Sequence, residues 1–288
     1  MKDNQQTTNN NLGRVEPLAA SEAEVRRRHE SNRAGWNEGA SHYTQKVAQT
    51  IAFLRGGGSS LHPLEKANLG NLGEWCETAV HLQCASGEDT LSLWNEGVKQ
   101  VIGVDISDVH IANARQTSAA LNAPAHWFRC DILDTPAELN GVADLVYTGQ
   151  GALCWLHDLH GWAAVIHRLL KPGGTFHILD DHPASWLFDQ DADHIKAAGN
   201  SYFGHSESGK GWGPTYIGDL EIPAAEQSRK YERLWTLAEI FQALTGAGLA
   251  VTHLGEYPDE YWISFPYLSV ADKAKLPMTF TMMGKRPF

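Results

Sequence analysis

The sequence predicts an α/β protein: a mostly parallel sheet of seven strands, helices on both faces, and an antiparallel last strand. Three observations lead there. From Thr78 onward, short apolar runs alternate with helical patterns, as right-handed strand–helix–strand crossovers require. Two later apolar runs have no long helical pattern between them, so they are expected to pair antiparallel. The composition, 42% hydrophobic and 20% charged over 288 residues, is that of a globular protein with room for a large core, not of a collagen-like or disordered chain.

The elements follow in order. Residues 1–20 are polar, with an Asn/Gln run and no periodicity, and are expected to form a disordered tail. Residues 21–54 read as helical. Ser21 with Glu24 forms a capping box, and Tyr43, Val47, Ile51 and Leu54 fall on one face. Gly56 to Gly58 ends the helix. The strands are Ala79–Leu82, Val98–Val104, Ala125–Phe128, Ala143–Tyr147 and Thr175–Leu179, with helices at about 88–96, 108–121 and 158–170 between them. The last of these helices groups Leu159, Trp162, Val165, Ile166, Leu169 and Leu170 on one side. After Leu179 the alternation stops. Residues 183–234, rich in Gly, His and aromatics, are too long for a simple crossover and read as a lid or binding insertion. A helix with Leu237, Ile240, Phe241 and Leu244 on one face follows, then the strands Leu249–Leu254 and Met278–Met283. The expected organisation is one domain over 21–288, with an N-terminal helical cap at 21–73.

Charge narrows the partners. Lys plus Arg is 23 against 34 Asp plus Glu, a net charge of −11, which argues against nucleic acid because phosphate affinity comes from Lys and Arg. Arg26-Arg27-Arg28 reads as a solvated helix face. No run of about 18 apolar residues offers a membrane span, and the opening residues lack the pattern of a secretory signal. Cys76, Cys84, Cys130 and Cys154 are widely spaced, so neither a disulfide framework nor a zinc site is expected and a cytoplasmic setting is the default.

In an open parallel sheet, ligands bind beyond the carboxyl ends of the strands where strand order reverses. The first strand runs into Leu82-Gln83-Cys84-Ala85-Ser86-Gly87-Glu88-Asp89. Its small residues let the backbone approach a ligand, and the following helix offers free N–H groups. The second strand ends at Asp105, 18 residues after Gly87, where a carboxylate accepts two hydrogen bonds from a ribose diol. The third ends at Cys130-Asp131-Ile132, placed to read an adenine edge. The fourth ends at Tyr147-Thr148-Gly149-Gln150, and Lys171-Pro172-Gly173-Gly174 turns the chain into the fifth. Each piece alone could be an ordinary turn or helix cap. Together, in this order, they point to a nucleoside.

On these pieces, His-Leu-Gln-Cys-Ala-Ser-Gly-Glu-Asp-Thr-Leu, Gly-Val-Asp-Ile-Ser, Phe-Arg-Cys-Asp-Ile, Asp-Leu-Val-Tyr and Leu-Lys-Pro-Gly-Gly, the sequence resembles the class I S-adenosylmethionine-dependent methyltransferases, over about 35–288. It is similar in particular to a bacterial group marked by Trp36-Asn37 followed by Tyr43, by His182-Pro183, and by an ending like Leu276-Pro277 through Pro287. The resemblance implies a Rossmann-like fold and S-adenosylmethionine as cofactor. It places the methionine part on Gln83, Cys84, Ala85, Gly87 and Asp89, the ribose on Asp105, and the adenine on Asp131 and Ile132, with Ile106 and Thr148 as further contacts. The family's usual first motif has an acidic residue and three glycines. Here His81, Gln83 and Ala85 replace the acid and two glycines, and only Gly87 remains. A nicotinamide enzyme would want G-x-G-x-x-G at this turn, which is missing.

The implied reaction is in-line displacement of the sulfonium methyl group by N, O, S or C of an acceptor, which suits an aromatic-walled pocket. Trp36, Trp155, Trp186, Trp212 and Trp235 are candidate walls, and Gln150 a further acceptor contact. His182, Tyr43 and His157 are candidate bases. The alternatives are a turn cap for His182, core packing for Tyr43 and a solvated helix entry for His157. No metal is expected. The N-terminal helices, 149–157, 183–234 and Glu256–Pro266 should build an aromatic and acidic acceptor pocket, which favours a small molecule, neutral or cationic. A non-catalytic cofactor-binding scaffold and a methyltransferase acting on protein or RNA are the alternatives. Monomer and homodimer both stay open.

Overall fold

The computed structural model describes residues 13–213 and 216–288. The sheet that the alternation predicts is present. Its strands are β2 (Thr78–Leu82), β3 (Gln100–Asp105), β4 (Ala125–Arg129), β5 (Ala143–Gly149), β6 (Leu170–Asp181), β9 (Ala250–Tyr257) and β10 (Thr279–Lys285), in the order β4-β3-β2-β5-β6-β10-β9. The first five pair in parallel, and β10 runs antiparallel to both β6 and β9. From β2 the chain steps outward to β3 and β4, then returns to the other side of β2 with β5. Strand order therefore reverses between β2 and β5, and their carboxyl ends open the crevice.

Helices α5 (Glu88–Asn95), α6 (Asp108–Leu121), α7 (Leu159–Leu169) and α8 (Leu237–Gly246) connect and cover the sheet. Two cores result, as burying both faces of a parallel sheet demands. One packs Leu159, Trp162, Val165, Ile166 and Leu169 of α7 with Ile240 and Leu244 of α8 against the sheet. The other packs Leu91, Leu93, Ile111 and Ala114 against the opposite face. Phe241, expected on the inner face of α8, is exposed.

The N-terminal helical stretch divides into α1 (Glu22–Thr44) and α2 (Val47–Arg55), followed by α3 (Pro63–Leu69) and α4 (Leu72–Trp75). Ser21 caps α1 by accepting from the Glu24 N–H, but the Glu24 carboxylate accepts from Ala20 rather than from Ser21. Two expectations need correction. Residues 1–12 of the predicted tail lie outside the described residues, but residues 13–20 are placed. Arg14–Val15 form strand β1, paired with β7 (Ser206–Gly209), which pairs in turn with β8 (Lys230–Arg233). The Pro17 carbonyl accepts from Arg28. Nor is the arginine run a solvated face. Arg28 is 1% exposed and donates to Pro17, Glu24 and Ser206, while Arg26 pairs with Asp131 and Asp134. The insertion thus contributes a small second sheet, clamped by α1 above the carboxyl ends of the main strands. Among the described residues, no helix is long and apolar enough to cross a membrane.

Candidate active site

One cavity of about 1320 Å³ lies at the switch point. Its floor is the turn between β2 and α5. Gln83 and Ala85 hold φ of +59° and +44°, and Gly87 +80°. The chain therefore keeps a left-handed backbone at two positions whose side chains disfavour it. Gly87 admits no side chain, since an added Cβ would lie 2.5 Å from the Trp127 ring. Asp105, at the tip of β3, fixes the turn. Its Oδ2 accepts from the Ala85 N–H at 2.9 Å and its Oδ1 from the Ser107 N–H at 2.8 Å. Each oxygen keeps a lone pair for a ligand hydroxyl. Burial pushes the Asp105 carboxyl up to about 6. Gln83 donates through Nε2 to the Ala152 carbonyl at 2.7 Å, while its buried Oε1 meets no protein donor.

The next strand end is held from α1. The His29 Nε2 accepts from the His157 N–H, which leaves the proton on Nδ1 to donate to Asp131 Oδ2 at 2.7 Å. Asp131 Oδ1 accepts from the Leu133 N–H. Burial opposes ionisation of Asp131, but His29 and Arg26 outweigh it and hold the carboxyl below its ordinary range. Asp131, Ile132 and Ile106 line the cavity, as do Cys84 and Asp89. Asp89 accepts from the Ser60 hydroxyl, and burial pushes its carboxyl up to about 6.

From this floor an aromatic wall climbs to the far end. His110 packs on Trp36 at 5.4 Å, Trp36 on Trp155 at 5.2 Å and on Tyr216 at 6.0 Å, and Tyr216 on Trp262 at 5.6 Å. Asp181, the last residue of β6, stands at that end. The Trp262 Nε1–H donates to it at 3.0 Å, and burial together with the neighbouring Asp180 pushes its carboxyl up to about 7. Asp180 points the other way and accepts from the N–H groups of Gly151, Ala152 and Leu153, fixing the loop after β5. Gln150, in that loop with φ +54°, lines the cavity and donates to the buried Glu65 at 3.2 Å.

Several sequence-predicted residues stand elsewhere. His182 is no part of the cavity wall. Its Nδ1 accepts from the Ala184 N–H as the cap of the turn at Pro183, and its Nε2 bonds Glu256. His157 is buried behind His29, contacts the Tyr231 carbonyl, and is pushed down to about 3 by burial. Thr148 is fully buried within β5 and outside the wall. Trp212 packs behind Trp36 at 4.7 Å, against a smaller cavity of about 170 Å³. Trp235 donates to the Leu156 carbonyl under Arg233. Tyr43, Trp36, Gln150, Trp155 and Trp186 do line the cavity. Burial raises the Tyr43 phenol, which suits it to donate a hydrogen bond rather than to accept a proton. Sequence reasoning missed His29, Asp181, Tyr216, Glu232 and Trp262 as wall residues, because only long-range packing selects them from their segments.

Comparison with known proteins agrees with this geometry. Residues 79–174 match the profile of a family described as a methyltransferase domain. Over that third of the chain the sequence is similar to methyltransferase domains. S-adenosylmethionine is the cofactor that the fold implies. An uncharacterized methyltransferase, sll0829, from Synechocystis sp. is 30% identical over 149 residues, covering 49% of this chain and 64% of that protein. The fold is shared with an S-adenosylmethionine-dependent methyltransferase from Mesorhizobium loti, with 20% identity, 80% of this chain and 99% of that one covered, and a TM-score of 0.57. It is shared also with one from Clostridium acetobutylicum, with 14% identity, 78% and 89% covered, and a TM-score of 0.52.

The residues present fit the cofactor. The Asp105 oxygens retain acceptor capacity, and the unpartnered Gln83 Oε1 suits an ammonium donor. The close turn at Gly87 and the apolar sides of Ile106 and Ile132 complete a nucleoside cradle.

Proposed function

We propose that the chain methylates a small organic molecule, using Asp105 and the 83–89 turn to hold the cofactor and Asp181 to take a proton from the acceptor. The observation that carries this reading is the single cavity of about 1320 Å³ running from that turn to Asp181. It exceeds the roughly 300–1,000 Å³ of a site for one drug-sized ligand, so cofactor and acceptor fit side by side. When bound, S-adenosylmethionine supplies an electrophilic methyl group on a sulfonium centre. The chain contributes alignment, exclusion of water and a place for the proton. Trp36, Trp155 and Tyr216 wall the space between the two ends, and their ring faces suit a positively charged centre. Asp181, raised to about 7, is matched to proton transfer near neutrality. Its Trp262 partner fixes the carboxylate while leaving lone pairs for the acceptor N–H or O–H.

A size-limited, largely acidic cavity supports a small molecule over a protein or RNA. In its wall, Lys196 is the Lys or Arg present among the described residues, and Asp189 already pairs it at 2.7 Å. The test is release of S-adenosylhomocysteine from wild type and Asp181→Asn supplied with cofactor and a metabolite extract. The variant should turn over about 10²–10⁴-fold more slowly, with S-adenosylhomocysteine affinity unchanged. The wild-type rate should rise with pH through about 7 as Asp181 ionises. An unaltered rate in the variant refutes the base. Cofactor binding with no turnover on any acceptor would make the chain a scaffold.

A further inference from the structure

The far wall of the cavity holds a second carboxylate pair that proton transfer does not use. In the β7–β8 ribbon, Glu207 stands directly opposite Glu232, so both side chains leave the ribbon on the same face. Both line the large cavity and the small one behind it. Like charges placed directly opposite in a sheet are destabilising. Glu207 accepts from His205 Nε2 at 2.9 Å. Glu232 accepts no side-chain hydrogen bond from the described residues, although burial pushes its carboxyl up to about 7. The neighbouring Lys230 attracts Glu232 through space but forms no hydrogen bond with it, its Nζ donating to the Gly211 carbonyl and lying 4.2 Å over the Trp212 ring. Arg233 is committed to Glu239.

The surfaces facing this pair are aromatic. Trp155 and Tyr216 line both cavities with it, and Trp36 packs against each. Carboxylates beside ring faces recognise organic cations, whereas an anion would be repelled by both carboxylates. A bare metal ion fits less well, since no group of three or more His, Cys, Asp or Glu among the described residues could hold one. We propose that the methyl acceptor carries a cationic nitrogen, a protonated or quaternary amine, seated between Glu207 and Glu232 against Trp155 and Tyr216. This rests on the reading of the cavity as a cofactor-and-acceptor site. It assigns the pair to recognition, whichever atom receives the methyl group.

The experiment measures thermal stabilisation and calorimetric affinity on the full chain saturated with S-adenosylhomocysteine. The probes are 2-phenylethylamine, its neutral counterpart 2-phenylethanol, and tetramethylammonium chloride against equimolar sodium chloride. Wild type should be stabilised by the two organic cations beyond their controls. The double variant Glu207→Gln/Glu232→Gln should bind them at least about tenfold more weakly while keeping its S-adenosylhomocysteine affinity. Equal responses to amine and alcohol, no response to either cation, or equal responses of wild type and variant would each overturn the proposal. Failure of wild type to bind S-adenosylhomocysteine would instead overturn the reading on which it rests.

Discussion

Ala85 shows how much local strain the turn after β2 accepts. Its φ of +44° lies where a Cβ costs about 1–2 kcal/mol, and its N–H is held there by Asp105. Ala85→Gly should therefore stabilise the ligand-free chain by about 0.5–1 kcal/mol, reversing the usual sign of that substitution. A denaturant titration checks it, and a loss of stability would mean that the turn relaxes on its own. Gln83, at φ +59°, differs because its side chain bonds the Ala152 carbonyl. That bond links the turn after β2 to the loop after β5. At this scale the sequence was informative wherever position along a strand decides the role. The places of Asp105, Asp131 and Ile132 in the cavity wall follow from their positions at strand ends. His182 and His157 were not decided that way, because a histidine near a strand end can equally cap a turn or fill the space behind a carboxylate, and here they do so.

Among the elements, α1 is the one that ties the small sheet to the strand ends. Asn32 receives the Tyr231 N–H and donates back to the Tyr231 carbonyl, so its side-chain amide extends the β8 strand. His29 reaches Asp131 from the same helix, and Arg28 gathers Pro17, Glu24 and Ser206. Removing the buried guanidinium leaves those acceptors without it. Arg28→Ala should cost about 2–4 kcal/mol and should expose the 206–233 ribbon to proteolysis before the main sheet. Simultaneous loss of both would show that the ribbon is held by other contacts. None of this was legible in Arg26-Arg27-Arg28 as a string, because a helix face reads as solvated until another segment covers it. The strand Ser206–Gly209 escaped for a related reason. Ser-Glu-Ser-Gly lacks the β-branched and aromatic residues that mark strands, and its partner lies more than 20 residues away.

For the molecule as a whole, buried carboxylates and buried histidines together set the response to pH. Asp89 and Asp105 are pushed up to about 6, and Glu65, Asp181 and Glu232 to about 7. Burial is the main cause in each case. A carboxyl raised on folding binds more protons in the native state than in the unfolded chain over the interval between its two values, so stability falls as pH rises through that interval. Burial also holds His81, His110, His157 and His177 down at about 3, which acts the opposite way below about pH 6.5, where the unfolded chain's histidines are protonated. The ligand-free melting temperature should therefore decline only from about pH 6.5 to about pH 7.5, where the carboxylates act alone. Glu65 is fully buried and accepts from the Tyr147 hydroxyl at 2.7 Å. Relative to wild type, Glu65→Gln should gain on the order of 1–3 kcal/mol as pH rises from about 4.5 to 7. A stability profile that runs parallel to that of wild type would show that Glu65 does not contribute.

The sequence by itself determined the layered sheet, the antiparallel close and the strand-end residues that floor the cavity. Those depend on periodicity, strand ends and turn residues, which are local. It also carried the net charge of −11 without saying where that charge matters. Only the tertiary structure decided that Asp181 faces the cavity while Asp180 turns to the loop, and that Glu207 meets Glu232 before an aromatic wall. Such placements follow from pairings between residues far apart in the chain, which burial and strand register fix together and no single segment encodes.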